Sequence, residues 1–64
     1  MLTLEEVKVG QFLVWKRYRI IVRVDTHHTS FFRAAVVVSS ERSQDIGNTI
    51  LLGENDLFGM EILK

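Results

Sequence analysis

Cysteine and proline are both absent from this chain of 64 residues. Without cysteine there is no disulfide and no thiolate zinc site. No low-complexity linker or internal repeat divides the chain, so residues 1–64 read as one domain. No apolar run approaches the ~20 residues that a membrane-spanning helix needs. The first ten residues, MLTLEEVKVG, carry acids early and lack the apolar segment of a signal peptide. The expected setting is soluble and cytoplasmic, which suits a chain without cysteine.

What is present is apolar material in a small package. At this size folding buries only about 60% of the accessible surface, and stability usually needs a disulfide, a metal or a partner chain. The chain is 47% hydrophobic. Either the core is unusually compact, or some of this surface is buried against another copy. Net charge is zero but unevenly spread. Residues 1–33 hold six basic and three acidic side chains, and residues 34–64 hold two basic and five acidic. Such asymmetry marks a basic face, internal complementarity or head-to-tail attraction between copies. Overall neutrality argues against strong non-specific affinity for nucleic acid.

Thr3 and Glu6 have capping-box spacing, which predicts a short helical turn over Leu4 to Lys8, ended by Gly10. The period then changes to two. Phe12 and Val14 alternate with Leu13 and Trp15. Tyr18, Ile20, Val22 and Val24 form one face, and Arg19, Ile21, Arg23 and Asp25 the other. Lys16-Arg17 marks the turn between the two runs. DTHHTS (25–30) is a polar loop of turn formers. Phe31 to Val38 is the third strand and SSERSQDIGN (39–48) a flexible loop. Thr49 to Leu52 is a fourth strand, ENDL (54–57) a tight helical turn, and Met60 to Leu63 a fifth strand.

The outline VKVGQFLVW, then RYRIIVRVD, then a closing EIL resembles small five-stranded antiparallel barrels of the SH3-like type. The resemblance is one of architecture, and such a fold hosts many unrelated functions. The alternative is a curved open sheet completed by dimerisation.

The stretch FFRAAVVV (31–38) is apolar at seven of eight positions. Phe32, Ala34, Val36 and Val38 are wholly apolar and suit the core. Phe31, Ala35 and Val37 then share the outward face with Arg33. No segment can form a helix long enough to cover that face, and an exposed apolar row is adhesive. Phe31, Ala35 and Val37 are therefore the expected interface of a homo-oligomer.

Chemistry-bearing motifs are few. His27 and His28 are adjacent, and neighbouring side chains on an extended backbone diverge, so they make a poor ion site. No metal or other cofactor is expected. There is no nucleophile elbow, and the four glycines are scattered and form no phosphate loop. Glu54 and Asp56 are close in sequence but fit a solvated acidic turn. These absences point away from an enzyme. Lys16, Arg17, Arg19 and Arg23 cluster in one hairpin, with Arg33 on the next strand and Trp15 and Tyr18 at the turn. Arginine beside aromatic rings suits RNA or DNA. Two plainer readings are a solvated face and salt bridges to the acidic half. The expected function is non-catalytic binding: a protein-interaction or self-assembly module, with nucleic-acid binding through the basic hairpin as the alternative.

Overall fold

β-Branched and alternating runs do form the strands. The computed structural model describes residues 2–26 and 29–63. His27 and His28 lie outside the described residues. Five strands make one antiparallel sheet: β1 (Phe12–Trp15), β2 (Ile20–Thr26), β3 (Arg33–Ser39), β4 (Thr49–Leu52) and β5 (Met60–Leu63). Their spatial order is β4-β3-β2-β1-β5. The sheet is not closed, since β4 and β5 are its two edges. Three short 3-10 turns complete the described elements: η1 (Leu4–Glu6), η2 (Ser43–Asp45) and η3 (Glu54–Leu57). The bounds of β4, β5 and η3 match those predicted from sequence.

The N-terminal turn is shorter than the spacing predicts. Glu6 Oε1 accepts from both the backbone N–H and the hydroxyl of Thr3, at 3.1 and 3.0 Å. Val7 is already extended, which ends η1 after three residues. The 39–48 loop, expected to be flexible, contains η2 and makes two backbone bonds to β3. Val37 N–H donates to Asn48 O and Gly47 N–H to Val37 O. Gly47 has a φ of +94°, a conformation that suits glycine.

Two irregularities curl the sheet. The β2–β3 register shifts between Ile21 and Val22, and again between Val24 and Thr26. Val38 and Asp25 are the extra residues, and such bulges bend a strand and raise its twist. Curvature lets a few turns cover the concave side. Leu13, Val22, Val24, Ala35, Val37, Leu52 and Met60 line that side, and Leu4, Val7 and Leu57 close over it. The radius of gyration is 10.6 Å. A folded chain of this length is expected near about 11 Å, so one copy packs its own core.

The hairpin between β1 and β2 departs from the alternation. Residues 16–19 form the turn, with Tyr18 N–H donating to Trp15 O and Arg19 N–H to Lys16 O. Tyr18, expected on the inner face of the strand, is 53% exposed in this turn. Arg19 has a φ of 55°, the left-handed region that favours glycine. Arg19→Gly is therefore expected to raise stability by about 0.5–1 kcal/mol. Thermal melting should show the midpoint rising by about 4 °C. A lower midpoint would mean that the side chain contributes more than its backbone strain costs.

Candidate interaction surface

The third strand settles which face of FFRAAVVV is buried, and it inverts the expectation. Arg33, Ala35 and Val37 face the core, at 5%, 0% and 4% exposure. Ala34, Val36 and Val38 lie on the opposite side and are half-buried. Ala35 and Val37 therefore do not form an outward apolar row. Phe31 precedes the strand and is 74% exposed in the loop before it.

Arg33 allows the inversion. Its Nη1 donates to Thr29 O at 2.9 Å and Phe32 O at 3.1 Å, and its Nη2 to Leu4 O at 3.1 Å. Buried charge is tolerated when hydrogen bonds replace water. Three backbone carbonyls serve here, and Nε alone lacks an acceptor among the described residues. The guanidinium thus pins η1 and the 29–32 loop to the sheet. It is no part of a basic surface. Beside it, Leu4, Phe31, Phe32 and η3 border an open groove of about 370 Å³.

The basic hairpin is similarly occupied. Lys16 Nζ lies 3.1 Å from Glu61, and Arg19 Nη1 lies 2.8 Å from Glu41. Arg23 lies 3.8 Å from Asp25. Tyr18 meets Trp15 edge-on, with ring centroids 4.6 Å apart, and Arg17 sits 5.5 Å above the Tyr18 ring. Trp15 also packs against the core. Each side chain proposed to contact nucleic acid already has an intramolecular partner. These exposed ion pairs are individually weak, but they lower the field that phosphate would meet.

The apolar surface lies on the convex side of the sheet. Cross-strand pairing runs Thr49, Val36, Arg23, Phe12 and Leu63 across all five strands. A second row joins Ile21, Val14 and Glu61, and a third joins Leu51 to Ala34. Phe12, Leu51 and Leu63 are 41%, 50% and 48% exposed. Val14, Ile21 and Val36 are half-buried by their neighbours alone. The sequence pattern placed an outward apolar row at Ala35 and Val37, on the side of β3 that the structure buries. Sequence reasoning missed Phe12, Leu51 and Leu63, although their period-two spacing within each strand was visible. Comparison with known protein families, curated proteins and solved structures finds no match for the chain.

Proposed function

We propose that this chain is a non-catalytic binding module that works by self-assembly. The observation that carries this reading is the convex side of the sheet, where Phe12, Val14, Ile21, Val36, Leu51 and Leu63 have no covering element among the described residues. An exposed apolar face of this kind on a small chain, here with Arg23 in its central row, marks a protein contact. The strand order, with a 3-10 turn joining the two edge strands, supports an SH3-like architecture whose sheet stays open until copies associate. The intramolecular pairing of Lys16, Arg19 and Arg23 makes RNA or DNA the weaker alternative.

Light scattering on a sizing column tests the reading. At micromolar concentration the expected molar mass is that of a dimer or larger, unchanged between low and high salt, because apolar contacts are not screened. A monomer at both salts overturns it. An assembly that dissolves as salt rises moves the contact to the charged hairpin.

A further inference from the structure

Half of the carboxylates have no cationic partner among the described residues, and they share one place. The chain has eight acidic residues. Asp25, Glu41, Asp45 and Glu61 each pair with a basic side chain. The other four, Glu5, Glu6, Glu54 and Asp56, sit on η1 and η3. Glu6 and Asp56 accept hydrogen bonds within their own turns, from Thr3 and from Gly53. Glu5 and Glu54 are exposed and make neither an ion pair nor a side-chain hydrogen bond among the described residues. Both lie along the groove beside Arg33. Leu4, Phe31 and Glu54 line this groove and also an adjoining hollow of about 480 Å³ that reaches Glu5. Together they form one trough running from η3 to η1. Its aromatic wall is fixed in place. Thr29 Oγ1 accepts from the N–H groups of Phe31 and Phe32 at 3.1 and 3.2 Å. The Phe32 ring lies against Gly53, where a Cβ would come within 3.3 Å of it. Phe31 is nonetheless 74% exposed and Phe32 41%.

We propose that this trough binds an arginine side chain from a basic segment of a partner protein. Charge complementarity carries the proposal. Three carboxylates, those of Glu5, Glu54 and Asp56, face one cation of the lining, Arg33, whose guanidinium is bound to the carbonyls of Leu4, Thr29 and Phe32. The phenyl faces add to the attraction, because a ring quadrupole draws a cation. A guanidinium suits the place better than an ammonium: it is flat, stacks on a ring and pairs with a carboxylate through two parallel hydrogen bonds. A metal ion suits it less, since no three carboxylate or histidine groups converge among the described residues. Phosphate would be repelled. The trough lies with η1 and η3, which cover the concave side, away from the convex face proposed to assemble. The proposal therefore goes beyond self-assembly and does not depend on it.

The test titrates the full chain with a blocked Gly-Arg-Arg-Gly peptide and with its citrulline counterpart, which keeps the shape and removes the charge. Amide resonances map the site and calorimetry gives the affinity. For the arginine peptide, shifts are expected in η1, η3 and the 29–32 loop. The citrulline peptide should bind more than about tenfold more weakly, having lost both its ion pairs and its attraction to the rings. Glu5→Gln combined with Glu54→Gln should weaken arginine binding by about fivefold to tenfold and leave the melting midpoint unchanged. Phe31→Leu should weaken it by about twofold to fivefold. Equal binding of the two peptides overturns the proposal, as do shifts centred outside the trough, unchanged affinity in the double glutamine variant, or no saturable binding at millimolar peptide. Light scattering on the same samples keeps the two readings apart. A monomer that binds the peptide in the trough overturns self-assembly alone, and an assembly that does not bind it overturns the trough alone.

Discussion

Arg33→Ala is expected to lower folding stability by about 3–5 kcal/mol, since each hydrogen bond to a charged group contributes about 1.5–3 kcal/mol and the three here are not fully additive. Three carbonyls, those of Leu4, Thr29 and Phe32, lose their donor together. The aliphatic stem that packs at the end of β3 is lost as well. A chain of 64 residues has a total stability on the order of 3–10 kcal/mol, so this one change consumes much or all of it. Urea denaturation followed by the fluorescence of Trp15, the single tryptophan, measures the effect. Arg33→Lys should fall between the parent and alanine, since an ammonium reaches fewer of the three acceptors in a fixed geometry. Alanine within about 1 kcal/mol of the parent would mean that water satisfies the carbonyls equally well.

The same substitution at two adjacent positions should give opposite results. Val37→Asp puts a carboxylate among Val22, Leu13 and Ala35 on the concave side, where Val37 is 4% exposed. Burying an unpaired charge while losing apolar contact costs several kcal/mol, and this variant should be unfolded. Val36→Asp puts the same group on the convex side, directly opposite Arg23. That variant should stay folded, with dispersed amide resonances and a cooperative melt. A folded Val37→Asp together with an unfolded Val36→Asp would return β3 to the orientation expected from its sequence.

That orientation is the clearest case of what local pattern does not contain. Along FFRAAVVV both alternating sets are apolar, so the only discriminating residue is Arg33. A charge ordinarily marks the outward face. Here the decision is made by Leu4 O, which is far away in sequence and supplied by η1. The strands β1, β4 and β5 were legible because their alternation is interrupted by recognisable turn residues. The 16–19 turn was less so, since Tyr18 and Arg19 continue the alternating pattern into it. The basic hairpin was legible as a cluster, but its neutralisation was not. Glu61 reaches Lys16 only because β5 returns to pair with β1.

That return has a consequence for how the molecule forms during synthesis. β1 is the first strand to emerge from the ribosome and β5 the last, and Phe12 pairs with Leu63. Until β5 arrives, one edge of β1 is open, and Met60 has not yet covered its part of the core. Pairing across so much of the chain is intrinsically slow. A chain whose β5 has not yet docked is a four-stranded intermediate, with the free edge of β1 open to a strand from any neighbour. Two chains elongating side by side on one message can exchange β5 before either has docked its own, so interlocked copies should accumulate with message occupancy.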